Sequence, residues 1–131
     1  MTDNGPGRLK PVGVVRSSIV RPMDPDYFLG KESRVIIEQE YSEALDGLAE
    51  EEYILIVFRF HLSSECPLKV HPRGDLNRPM KGVFATCSPA RPNFIGVTRC
   101  RLLNIEGNTL FVRDLDAVDG TPVLDIKPYR L

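Results

Sequence analysis

The sequence has little that would assign it to a membrane, a metal centre or the usual nucleotide-binding folds. No apolar run approaches the ~18 residues that a membrane-crossing helix requires, and the opening MTDNGPGRLK lacks the apolar core of a secretory signal. A cytoplasmic location is therefore expected. Cysteines number three, at positions 66, 87 and 100. An odd set without zinc-ligand spacing points to reduced thiols and offers no metal site. Neither a G-x-x-x-x-G-K phosphate cradle nor a G-x-G-x-x-G after a strand occurs. Net charge is nearly absent too: 17 Lys and Arg against 18 Asp and Glu leave −1. Any contact with nucleic acid must then come from a local basic patch.

What is present is one domain's worth of β-rich chain. The 131 residues suit a single domain with a sizeable core. Residues 1–9 are polar and read as a mobile tail, leaving 10–131 as the domain. Clustered β-branched residues predict strands at Pro11–Ser17 and Arg34–Gln39. The run YILIVFRFHL at Tyr53–Leu62 predicts a longer one, apolar on both faces at first and so expected to be central and covered on both sides. Gly82–Thr86, Ile95–Ile105, Thr109–Leu115 and Val123–Ile126 follow, with a hairpin turn at Glu106-Gly107-Asn108. Helical periodicity is confined to Glu40–Glu52, where Ala44, Leu45, Leu48 and Ala49 form a stripe; Gly47 leaves one helix or two short turns open. Ile19–Lys31 and Ser63–Lys81 are long and irregular. The expected architecture is mainly β: a small barrel or strongly coiled sheet with one short helix at most.

Candidate chemistry concentrates between Gly82 and Tyr129. In Ser88-Pro-Ala-Arg91-Pro-Asn93, an arginine between two prolines could grip a carboxylate or phosphate, with Ser88 and Asn93 adding neutral hydrogen-bonding groups. The same residues could form no more than an ordered turn. Asp114-Leu-Asp116-Ala-Val-Asp119-Gly-Thr121 loosely resembles a calcium loop but lacks the later bidentate glutamate. Its carboxylates suit a ribose diol or an ammonium group, although Asp119-Gly120 is also a common turn. In an extended Asp125-Ile-Lys127-Pro-Tyr129 the three ionisable side chains share a face, as catalytic groups or as a surface ion pair. His61 on the polar side of its strand is a ligand contact or a structural histidine. A Ser88–His61–Asp triad has no nucleophile-elbow pattern to support it. Arg59, Lys69, His71, Arg73, Arg78, Lys81, Arg99 and Arg101 could form a basic patch if they converge.

Taken together, GVFATCSPARPNFIG and LDAVDGTPVLDIKPY resemble the GVFATRSPFRPNPIG and LDALDGTPVLDIKPY of the TsaA-like family, also called YaeB/VirR-like. The opening PVGVVRSS and the Leu48, Tyr53–His61 region are similar as well. The resemblance implies a β-barrel that binds S-adenosylmethionine as a homodimer and methylates N6 of threonylcarbamoyladenosine beside the anticodon of tRNA. It implies a cofactor site drawn from His61, Leu62, Ser88, Arg91, Asn93, Asp116, Ala117, Val118, Asp119 and Gly120. Arg91 would hold an anionic group there, and Asp116 or Asp119 the ribose or the ammonium. Asp125 would help the acceptor nitrogen lose its proton, with Lys127 and Tyr129 positioning the tRNA. Three departures stand out: Cys87 for the usual arginine, Phe94 for a proline, and a 19–31 loop without the Pro-Arg-Gln stretch of bacterial members. Cys87 and the altered loop support an alternative, a cofactor- or RNA-binding module without turnover, whereas the intact DGTPVLDIKPY supports the enzyme.

Overall fold

The computed structural model describes residues 7–130; residues 1–6 of the expected tail lie outside that range. Its strands are β1 (Gly13–Arg16), β2 (Glu32–Ile37), β3 (Tyr53–Arg59), β4 (Lys69–Val70), β5 (Lys81–Gly82), β6 (Ile95–Glu106), β7 (Thr109–Arg113) and β8 (Pro122–Pro128). All but β4 and β5 close into a barrel in the order β1–β2–β7–β6–β3–β8, each antiparallel to its neighbours. Closure removes the exposed edges that would otherwise template aggregation. β4 and β5 pair separately as a two-stranded ribbon.

The barrel is filled by alternate residues of every strand. Val15, Val35, Ile54, Ile56, Leu110, Val112 and Val123 are completely inaccessible, with Phe58, Cys100 and Leu102 packed among them. Each such side chain contributes roughly 1.5–3 kcal/mol relative to exposure, so this one cluster dominates the stability. Two register shifts, at Leu102/Asn104 against β7 and at Val57/Phe58 against β8, bend the sheet where it closes. The expected hairpin forms with Gly107 at φ 58 in its first central position, a conformation that favours glycine.

The structure decides one open expectation and revises three. The stretch 40–52 is two 3-10 segments, Gln39–Leu45 and Leu48–Glu50, because Gly47 turns left-handed at φ 84 and breaks the stripe. Gly82–Thr86 is not a strand: only Gly82 belongs to one, and Val83–Ala85 curl into a 3-10 turn whose Val83 carbonyl accepts from the Thr86 hydroxyl at 2.8 Å. The irregular 63–81 segment contains β4. Finally, Leu55 and Val57 on the outer face of β3 stay half-buried, and no second layer covers them among the described residues. The doubled apolar character of β3 reflects a filled interior and a partly wet exterior.

Candidate functional site

Strand direction gathers the long connections at one end of the barrel. β1, β3 and β7 end there, and β2, β6 and β8 begin there. Segments 17–31, 60–94 and 114–121 therefore emerge side by side, although far apart in sequence. Their backbones are stitched together. The Asp119 N–H donates to the Ile19 carbonyl (2.7 Å), Gly120 to Val15 (2.8 Å), Asp114 to Lys31 (3.0 Å) and Phe60 to Phe94 (2.7 Å). Arg73 adds a side-chain link, with Nη1 3.4 Å from Asp24 Oδ1 and 3.2 Å from Asp26 Oδ2.

The Val118–Thr121 turn is the most constrained part. Thr121 returns both its N–H (3.2 Å) and its hydroxyl (2.7 Å) to the Val118 carbonyl, and Gly120 sits at φ 85. A methyl placed on Gly120 would lie 3.8 Å from His61 Nε2, so the imidazole abuts this turn. Asp119 is already engaged: Oδ1 accepts from the Ser17 N–H at 3.0 Å, and Oδ2 is 3.8 Å from Arg16 Nη1. Asp116 is different. It is half-buried, and no hydrogen bond reaches its carboxylate among the described residues. Burial raises its carboxyl above the ordinary value of 3.8; nearby Arg73 opposes the rise and Asp24 adds to it. Ala117 and Val118 are buried beneath it, whereas Leu62 is exposed at the rim.

Arg91 is braced by its own loop, its Nη1 donating to the carbonyls of Thr86 (2.7 Å) and Ser88 (3.2 Å). The Ser88 hydroxyl accepts from the Ala90 N–H at 3.2 Å. Asn93 and Phe94 both adopt positive φ, 65 and 54, which is uncommon for asparagine and an outlier for phenylalanine. Asp125, Lys127 and Tyr129 do not join this group within the chain. They run down β8 towards the opposite end at ~3.3 Å per residue, with Lys127 Nζ 3.0 Å from Asp125 Oδ2 in an exposed ion pair. Tyr129 stacks on Arg99 at 5.0 Å, and Tyr53 covers the same guanidinium at 4.4 Å. Of the eight basic residues, Arg73, Arg78 and Arg101 are engaged by Asp24, Asp26, Asp75 and Glu52, while Lys69, His71, Arg78 and Lys81 lie together around the β4–β5 ribbon. No cluster of three metal-ligating residues occurs among the described residues.

The sequence profile of the tRNA-methyltransferase O N-terminal domain family matches residues 15–131. The chain belongs to that family. It is 45% identical over 125 residues to a probable S-adenosyl-L-methionine-binding protein of Methanothermobacter thermautotrophicus, covering 93% of this chain and 89% of the relative. It is 43% identical over 98 residues to the human tRNA (adenine(37)-N6)-methyltransferase, which is 73% of this chain but 22% of that protein. The crystal structure of TrmO from Pseudomonas aeruginosa superposes with a TM-score of 0.74 at 32% identity over 99% of this chain. The chain spans 57% of that crystallised protein, little more than half.

As a member of this family the chain keeps an open, hydrogen-bonding barrel end, but two departures now have a geometry. Cys87 is exposed beside the Arg91 loop and offers no charge there. Phe94 occupies a backbone conformation closed to proline, whose φ is fixed near −65. Its own N–H donates to the Arg91 carbonyl at 3.1 Å, a bond that proline lacks. The change at 94 thus alters the path of the loop. Cys100, by contrast, is inert packing: burial, with Asp114 nearby, pushes its thiol up to about 12. Sequence reasoning missed Ser17, Ile19 and Asp24 as partners of the site. Their hydrogen bonds span up to a hundred residues, and no local pattern encodes them.

Proposed function

We propose that this chain is an S-adenosylmethionine-dependent methyltransferase that modifies N6 of threonylcarbamoyladenosine next to the anticodon in tRNA. Family membership, together with a barrel end that presents an unsatisfied, half-buried carboxylate at Asp116, supports this reading. The residues present fit the cofactor's polar groups. Asp116 can receive an ammonium or a ribose hydroxyl, and the exchange of water for that partner would lower its raised pKa. Asp119 lies ready-oriented by Ser17 for the same kind of group. His61 and Leu62 border the space above Gly120, with Ala117 and Val118 as its apolar floor. Arg91, fixed by two carbonyls, can turn its remaining N–H groups to an anionic group, and Ser88 and Asn93 lie on the same loop.

S-adenosylmethionine, when bound, supplies an electrophilic methyl on a sulfonium, for which alignment with the acceptor nitrogen does much of the catalytic work. The chain's part is to hold both partners and to receive the proton that N6 gives up. Asp125 is assigned to that proton, and Lys127 and Tyr129 to the RNA, which requires the substrate to lie along β8. A homodimer acting in the cytoplasm is part of the proposal. Phe84, Leu68 and Leu76 are 79–80% exposed on the 60–94 segment and offer apolar side chains to a second copy. The three cysteines are all free.

Cys87 favours a second reading, in which the chain binds cofactor or RNA without turnover. The test is methyl incorporation from labelled cofactor into tRNA that lacks the modification, with cofactor affinity measured in parallel. Incorporation at N6 of that nucleoside is expected. Binding without incorporation into any tRNA pool would move the conclusion to the binding module.

A further inference from the structure

A recess of about 460 Å³ lies against the outside of β1, β2 and β7, away from the Arg91 loop, and Asp119 is its one link to the residues assigned above. Arg16 and Arg34 stand directly opposite each other across β1 and β2, and Phe111 is the next partner of Arg34 on β7. Like charges placed opposite in a sheet are destabilising unless something intervenes. Arg16 has Asp119 3.8 Å away. Arg34 has no ion-pair partner among the described residues. The contrast with Arg101, which also faces an arginine (Arg113) but is relieved by Glu52 at 3.4 Å, makes the exposed Arg34 stand out. Glu32 lies on the same outward face of β2 as Arg34, two residues away. Ser17 and Ser18 complete one wall.

The recess offers a guanidinium pair for an anion, serine hydroxyls beside it, and an aromatic face at the end of the row. We propose that this recess binds one nucleotide of the RNA strand. Its phosphodiester lies between Arg34 and Arg16, its base against Phe111, and its ribose hydroxyls beside Glu32. The proposal rests on the tRNA reading above and extends it by naming where the strand crosses the barrel wall. Among ligands with an anionic group next to a planar ring, an RNA strand fits best, because the recess is open and continuous with the loop end through Asp119.

The test compares wild type with R34Q and F111L, both changes on the outer face of the barrel, using an anticodon stem-loop RNA and full-length tRNA. R34Q is expected to weaken RNA binding several-fold and to make the slope of log K against log salt shallower by about 0.7, the signature of one lost phosphate contact. F111L is expected to weaken binding about fivefold or more with the slope unchanged. Cofactor affinity, read by calorimetry, should stay at the wild-type value in both. An unchanged slope in R34Q, from an enzyme whose wild type still methylates tRNA, overturns the recess and leaves the function standing. A parallel fall in cofactor affinity also overturns it, by making the recess part of the cofactor site. A wild type that binds no tRNA overturns both.

Discussion

Asp116 is the residue whose chemistry the fold changes most. Its neighbours Leu115 and Ala117 are buried, so its carboxylate is carried partly out of water, and burial raises its pKa despite the nearby Arg73. The consequence for stability has a definite sign. Below the ordinary value of 3.8 the group is protonated in both folded and unfolded chains and contributes no difference. As pH rises through the raised folded value, only the folded state bears the cost of a desolvated charge, so stability falls. D116N removes that cost. Its melting temperature should exceed wild type at pH 7 and match it at pH 3, while its affinity for S-adenosylmethionine should drop about tenfold or more if the carboxylate receives the ammonium or ribose. A melting temperature at pH 7 equal to or below that of wild type would remove the desolvation argument. The aspartate pair was legible in the sequence as candidate chemistry. Which of the two is held by Ser17 and which is left unpaired was not, because the partners come from other strands.

At the scale of elements, the start of β6 shows how the 60–94 loop is anchored. Glycine at 96 invites an explanation by backbone freedom, yet its φ is not positive, unlike that of Gly120. The reason is contact. A methyl there would lie 2.6 Å from Phe60 Cζ and 2.9 Å from Phe58 Cε2, inside the edge-to-face pair whose ring centroids are 5.1 Å apart. Both rings would have to shift, and Phe60 carries the N–H that ties β3 to Phe94. G96A should therefore destabilise by about 1–3 kcal/mol, as overpacking does, measurable by urea unfolding. It should also loosen the Arg91 loop, which the left-handed pair Asn93 and Phe94 joins to β6. Stability within error of wild type would show that the rings yield freely.

For the whole molecule, the antiparallel closure fixes a division of labour between the two barrel ends. The end bearing 17–31, 60–94 and 114–121 carries the exposed and unsatisfied groups. The other is sealed by the Gly107 hairpin, where Asn108 Nδ2 donates to the Ile37 carbonyl (3.2 Å) and to Gln39 Oε1 (3.0 Å). Hydrogen exchange should report this directly. Amides of β3 and β6, which share the longest ladder of the barrel, from Tyr53↔Arg101 to Arg59↔Ile95, should exchange slowest. Adding S-adenosylmethionine should protect 114–121 and parts of 60–94 and leave 38–52 unchanged. Protection centred on 38–52 would instead place the cofactor in the roughly 400 Å³ cleft at the sealed end, between Tyr41, Leu48 and Ile126.

What the sequence determined by itself was the β class, the single domain, the hairpin at Gly107 and the family resemblance. These follow from alternation, turn residues and motif, all of which act over a few neighbouring positions. Strand closure decided the rest. It brought Ser17 to Asp119, set Arg34 beside Arg16 and Phe111, and carried Lys127 and Tyr129 away from the Asp119 turn. Each of these depends on which strands lie next to one another and in what register, and register is a property of the closed sheet that no short stretch of the chain contains.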